Sequence, residues 1–111
     1  MDINEVIKRI NKLEYHQRLL LKLIENKNLE FYKLIVEKSL AEREVEEFYK
    51  VCEELSIELE EQKAEGFVYF HPLYNKFKDG LHKELEPKVV VHACIKQGLF
   101  TSLMDVFVKY H

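Results

Sequence analysis

Residues 52–70 read CEELSIELEEQKAEGFVYF, and this stretch holds the main clue to the fold. Six of its first fourteen residues are glutamates, while apolar residues recur at Cys52, Leu55 and Leu59. Spacings of three and four place the apolar side chains on one face of an α-helix and the glutamates on the solvated faces. Gly66 then ends the helix, because glycine adopts the left-handed conformation at little cost. The four large residues after it, FVYF, are expected to return to the core.

The same apolar line continues upstream through Val45 and Phe48. It predicts a long acidic helix over roughly residues 40–65. Ser39 and Glu42 have the spacing of a capping box, in which each side chain satisfies a backbone N–H of the first turn. These two residues are therefore predicted to open the acidic helix.

A second long pattern runs over residues 3–25, after a capping-box-like start at Asp2 and Glu5. Isoleucine at heptad position a and leucine at position d suit a two-stranded coiled coil, and one polar residue at a, Gln17, can fix the register. Further apolar residues widen the face, which leaves two alternatives open: an intramolecular core helix, or a helix that also meets a second subunit. The stripe consists of Ile3, Val6, Ile10, Leu13, Gln17, Leu20 and Ile24. The predicted oligomer contacts are Ile3, Ile10, Leu13, Gln17 and Leu20.

Shorter helices are predicted at residues 29–38 and 72–79, from Pro87 to a stop at Gly98, and at residues 100–110. Three glycines and two prolines offer too few turns for a many-stranded β protein. The predicted fold is all-α, a single domain of residues 1–111 with five or six helices. A long N-terminal helix and a long acidic central helix dominate it.

The charges are segregated along the chain, although the net charge is only −3. Residues 39–65 carry three basic and ten acidic residues, whereas the segments on either side each have a net charge of +2. This balance does not favour nucleic-acid binding. The acidic helix is interpreted either as a solvated face that packs near basic segments or as a surface for a basic protein partner. The candidate partner face is Glu53, Glu54, Glu60 and Glu61.

Location is predicted from what the chain lacks. No apolar run approaches the ~18–20 residues that span a bilayer, and the first residues do not resemble a secretory signal. Cys52 and Cys94 are far apart in apolar helical contexts, which favours buried thiols over a disulfide or a metal pair. A cytoplasmic location without membrane contact is expected.

Catalytic and metal-binding motifs are not found in the sequence. The five histidines form no HExxH pair, and three glycines cannot build a phosphate-binding loop. Cys52 lies in an apolar stripe, where desolvation makes a thiol inert, and His92, two residues from Cys94, is expected to point elsewhere on a helix. We therefore predict a protein that is not an enzyme, with no cofactor and no metal. The alternative is a small-molecule or metal-binding sensor whose pocket would lie among Tyr69, His71, Tyr74 and His82.

The runs CEELSIELEEQKAEGFV (residues 52–68) and QGLFTSLMDVF (residues 97–107), together with LEYHQRLLLKLIE (residues 13–25), resemble the YhaI-like family of small uncharacterised bacterial proteins. The resemblance covers most of the chain. It implies a compact multihelical fold and a cytoplasmic protein of unknown function, and it supplies no active-site residue. The sequence as a whole predicts a non-enzymatic protein–protein interaction or regulatory module that acts as a homo-oligomer.

Overall fold

A computed structural model describes residues 2–110 of the chain. This part folds into six α-helices and a final 3-10 turn, and it contains no β-strand. The helices are α1 (Ile3–Glu25), α2 (Glu30–Glu37), α3 (Glu42–Ala64), α4 (His71–Asp79), α5 (Pro87–Gln97) and α6 (Thr101–Phe107), and the turn is Val108–Tyr110. The prediction of an all-α fold with a long first helix is confirmed. The long acidic central helix is α3.

The core is built around α5, which packs between α2 and α6. Its residues Val90, Val91 and Cys94 are completely buried. α3 covers α4 and α6, while α1 packs mainly on α2. Each of these helices presents an apolar stripe at helical spacing, so the burial of apolar surface drives their assembly.

Aromatic side chains tie the helices to one another. The rings of Phe31 in α2 and Phe48 in α3 are stacked, with 4.9 Å between their centroids. Phe77 in α4 lies at the same centroid distance from Phe107 in α6. Contacts of this kind contribute about 0.5–1.5 kcal/mol beyond their buried area. They fix α3 relative to α2, and α4 relative to α6.

Gly66 ends α3 as predicted. It adopts a φ of +90°, and its N–H donates to the carbonyl of Lys63 while the N–H of Phe67 donates to that of Gln62. This pair of bonds is the Schellman motif, which satisfies carbonyls at the end of a helix. The sequence therefore placed this boundary correctly.

The predicted capping box of Ser39 and Glu42 is wrong. Ser39 has a φ of +56° and ends α2, since its N–H donates to Val36 and the N–H of Leu40 donates to Ile35. α3 starts two residues later than predicted, at Glu42. The N–H of the residue before it, Ala41, donates to the carboxylate of Glu44 at 2.9 Å. Ser39 thus takes a helix-ending position that glycine usually occupies.

The prediction that the FVYF run returns to the core is correct only for its last residue. Phe70 is buried, but Phe67, Val68 and Tyr69 are 51%, 90% and 64% exposed. The chain reversal at Gly66 leaves these three residues on the surface. Phe70 is held where α4 begins, because its N–H donates to the hydroxyl of Tyr110 at 3.0 Å.

Candidate functional site: the exposed face of the first helix

α1 contacts the body of the protein through a narrow face in its second half. Its buried residues are Tyr15, His16 and Leu19. Every residue from Asp2 to Asn11 is exposed. The first turns of α1 therefore have no cover from the core.

Polar contacts hold α1 against the segment that leads into α3. His16 is buried, and its Nε2 donates a hydrogen bond to the carbonyl of Leu40 at 2.6 Å. On the surface, Arg18 pairs with Glu42 at 3.3 Å. Burial also raises the pKa of Tyr15 to about 12, so this side chain stays neutral in the contact. Both polar contacts lie near the middle of α1, so they fix which side of the helix faces the core.

The predicted apolar stripe of α1 lies on the side away from the core. The exposed fractions of its apolar residues and their neighbours are 74% for Ile3, 40% for Val6, 49% for Ile7, 49% for Ile10, 66% for Leu13, 47% for Leu20, 59% for Leu21 and 77% for Ile24. Monomeric proteins rarely expose contiguous apolar patches larger than a few hundred Å², and larger patches mark contact sites. The alternative of an intramolecular core helix is therefore wrong for this stripe.

The five predicted oligomer contacts share this surface, which we call the α1 stripe. Ile3, Ile10, Leu13 and Leu20 are exposed to the extents given above, and Gln17 between them is also exposed. Their spacing places all five on one side of the helix. The structure thus brings the set together and leaves it accessible.

The candidate acidic face lies on the outer side of α3. Glu53, Glu54, Glu60 and Glu61 are all exposed, and Glu60 is 3.8 Å from Lys63. Sequence reasoning missed the residue at their centre, Ile57, which is 62% exposed. Its four glutamate neighbours lie three and four positions away on either side, the spacing at which side chains meet on a helix. The apolar spacing could have shown Ile57, because it falls outside the core line of α3.

The residues of the predicted sensor pocket do not all meet. His71 makes ring contacts with Tyr69, Tyr74 and Tyr110, at centroid distances of 5.2–6.1 Å. Tyr74 is buried, which raises the pKa of its hydroxyl. His82 lies beyond the opposite end of α4, whose nine residues span about 13 Å along the helix axis at 1.5 Å per residue. A pocket that uses all four predicted residues is therefore not formed.

His82 instead pairs with Glu44 of α3, at 2.6 Å between Nε2 and the carboxylate. The backbone N–H of Ala41 and the His82 ring lower the pKa of Glu44, while partial burial opposes them. Both side chains line a cavity of about 220 Å³ between α2, α3 and the segment after α4. Ligand pockets usually have volumes of about 300–1,000 Å³, so this cavity is smaller than a usual ligand pocket. No sequence signal links Glu44 to His82, since 37 residues separate them.

The two cysteines are buried free thiols, as predicted. Burial raises the pKa of Cys94 to about 12 and raises that of Cys52 further. Both side chains are therefore in the thiol form, which is a poor nucleophile. They contribute to packing in α3 and α5.

Metal and membrane sites were sought within residues 2–110. This range contains no group of three or more His, Cys, Asp or Glu side chains arranged to hold a metal ion. In the same range, none of the helices has the length and apolar character to cross a bilayer.

A family model described as "Protein of unknown function (DUF1878)" matches residues 2–111. The match extends over α1 and the acidic α3, so it includes both candidate surfaces. It confirms the expectation of a small family of unknown function. The resemblance to YhaI-like proteins and the cytoplasmic location stay predictions.

Proposed function

We propose that this chain is a non-enzymatic protein–protein interaction module that works as a homo-oligomer through the α1 stripe. The chain belongs to the DUF1878 family of proteins of unknown function. The observation that carries the proposal is the exposure of eight large aliphatic side chains on the side of α1 away from the core. Removing a half-exposed aliphatic side chain from water gains on the order of 1 kcal/mol. A second copy supplies a matching apolar surface, because the same face occurs on both molecules.

The position of the stripe on the protein also supports this proposal. Two of the core contacts of α1, Tyr15 and Leu19, lie on the other side of the helix, and the third, His16, lies at the edge of the stripe. Self-association would therefore leave the monomer fold intact. The Ile-at-a and Leu-at-d pattern over three heptads supplies the side chains that interlock between helices.

The experiment is multi-angle light scattering with size-exclusion chromatography, over a series of dilutions. The wild-type protein should elute with a mass above that of one 13.4 kDa chain. The double variant Ile10→Glu/Leu13→Glu should elute as a monomer with unchanged helical circular dichroism, since both side chains are exposed in one copy. Ile57→Glu is the matched control, an exposed isoleucine outside the stripe, and should keep the wild-type mass. A wild-type mass of one chain at every concentration would contradict the proposal.

A second candidate surface is the acidic face of α3, with a basic protein as its partner. The exposed Ile57 in the middle of Glu53, Glu54, Glu60 and Glu61 favours it, because an apolar centre with a charged rim is the usual arrangement of an interface. Reversing two charges with Glu53→Lys/Glu60→Lys should abolish the binding of such a partner and leave the oligomer mass unchanged. If a partner isolated with the wild-type protein binds this folded variant equally well, the acidic face is only a solvated surface.

A further inference from the structure

We infer that α1 pairs in parallel and in register with α1 of a second copy of this chain, an arrangement that rests on the proposed function. Each heptad layer of one helix then meets the same layer of the other. Ile3, Ile10 and Ile24 would meet their own counterparts at a, while Leu13 and Leu20 would do so at d. All of these residues are exposed in the single chain and available for this contact.

Gln17 is the first reason for the parallel orientation. It is exposed and is the one polar residue at position a in the stripe. In a parallel pair it meets Gln17 of the second copy, and each amide can donate to the carbonyl of the other. In an antiparallel pair, position a packs against position d, so Gln17 would face valine or leucine. A buried amide without a partner is unfavourable, because it loses its hydrogen bonds to water and gains none in return.

Charge is the second reason. Arg9 and Glu14 are both exposed and flank the stripe on opposite sides, at heptad positions g and e. In a parallel pair, position g of one helix lies beside position e of the next heptad on the other. Arg9 then lies beside Glu14 of the second copy, and symmetry produces this pair twice. An antiparallel pair brings g to g and e to e, which removes both attractions.

The body of the protein leaves room for this pairing. Tyr15 and Leu19, at heptad positions f and c, attach α1 to the body from the side that is away from the stripe, and the buried His16 lies at position g, at the edge of the stripe. Two bodies therefore lie on the outer sides of the paired helices. The same residues would meet in a two-stranded and in a three-stranded parallel assembly, because each heptad position packs against the same position of the other copies in both.

The test uses two single-cysteine variants, Ile3→Cys at position a and Leu20→Cys at position d, in the full chain, because these two positions share one layer of an antiparallel pair. They are about 26 Å apart along α1, so one orientation cannot imitate the other. Each variant is oxidised alone, and the two are also mixed, unfolded, refolded together and oxidised. Covalent dimers are then counted on a non-reducing gel. The native thiols Cys52 and Cys94 are buried and stay reduced, and Ile57→Cys is the exposed control outside the stripe.

Parallel pairing predicts that each variant alone forms the disulfide dimer in most of its chains, and that Ile57→Cys does not. Cross-linking that occurs only in the mixture would show antiparallel pairing and overturn this inference, while the oligomer of the proposed function would stand. An oligomer without cross-links in any sample would overturn the inference in the same way. A protein that light scattering shows to be a monomer would overturn both the inference and the proposed function.

Discussion

The side-chain carbonyl of Gln97 accepts hydrogen bonds from the backbone N–H groups of Phe31 at 2.8 Å and Tyr32 at 3.1 Å. Gln97 is the last residue of α5, whereas the two donors lie in the first turn of α2. α2 has no capping side chain of its own, because Leu29 precedes it. The side chain of Gln97 therefore caps the N-terminus of α2 and joins α2 to α5.

Gln97→Leu should lower the free energy of unfolding by about 1–2 kcal/mol, because two partly buried N–H groups lose their acceptor. Gln97→Glu keeps an acceptor oxygen and adds a negative charge at the helix N-terminus, where it is favourable. It should retain most of the stability. Urea unfolding of both variants measures the difference. Equal losses in the two variants would contradict a capping role.

Ser39→Gly should stabilise the protein. Ser39 adopts a φ of +56° at the end of α2, where a side chain is strained and glycine is not. Relief of this strain should raise the free energy of unfolding, whereas the greater freedom of glycine in the unfolded chain should lower it. The net gain should be about 0.5–1 kcal/mol. Thermal unfolding measures it as a rise in Tm. A fall in Tm would show that the serine side chain stabilises the turn.

Gly66→Ala provides the comparison of opposite sign. Gly66 has a φ of +90°, and an added Cβ would meet no atom within 4 Å. The free energy of unfolding of the variant should fall by about 1 kcal/mol because of backbone strain alone. The packing of the core should not change.

The local signals in the sequence predicted most of the fold, and the failures have physical reasons. Gly66, Gly98 and Pro87 stop or start helices through their own backbone preferences, so their roles could be read directly. Ser39 ends a helix against its preference, and the turn at this residue is followed by Leu40, which is buried in the core. Contacts between distant segments, such as Gln97 with Phe31, leave no local pattern.

The residues of the candidate surfaces could also be predicted from local patterns in the sequence. The α1 stripe follows from the spacing of residues on one helix, which needs no tertiary information. Whether that stripe faced the core could not be predicted, since Tyr15, His16 and Leu19 form a second face of α1 that is buried instead. The choice between the two faces depends on the packing of α2. The pair of Glu44 and His82 depends on tertiary contacts in the same way.

Glu44 should make the stability of the protein depend on pH in the acid range. Its pKa is lowered from the ordinary value of 4.5, first by the N–H of Ala41 and also by His82. The ionised carboxylate therefore contributes stability above that value, and this contribution is lost as the pH falls through the lower pKa of the folded state. Glu44→Gln should be less stable than wild type at neutral pH.

Urea unfolding at about pH 7 and about pH 3 measures this effect, and the gap between wild type and Glu44→Gln should narrow in acid. Glu54→Gln changes an exposed carboxylate on the same helix in the same way and is the matched control. If Glu44→Gln shows an equal gap at the two pH values, Glu44 contributes through hydrogen bonding alone and not through its charge.

Gln17→Ile should make the oligomer more stable and less uniform. In the parallel pair an isoleucine would bury apolar surface in place of two amides, so the midpoint of thermal unfolding at a fixed concentration should rise. The polar layer that selects one register would be lost, and light scattering should show a spread of masses. Asn11→Ile, an exposed position on α1 outside the stripe, should keep the wild-type mass. A lower midpoint for Gln17→Ile would show that the paired amides stabilise the assembly and do not merely select its register.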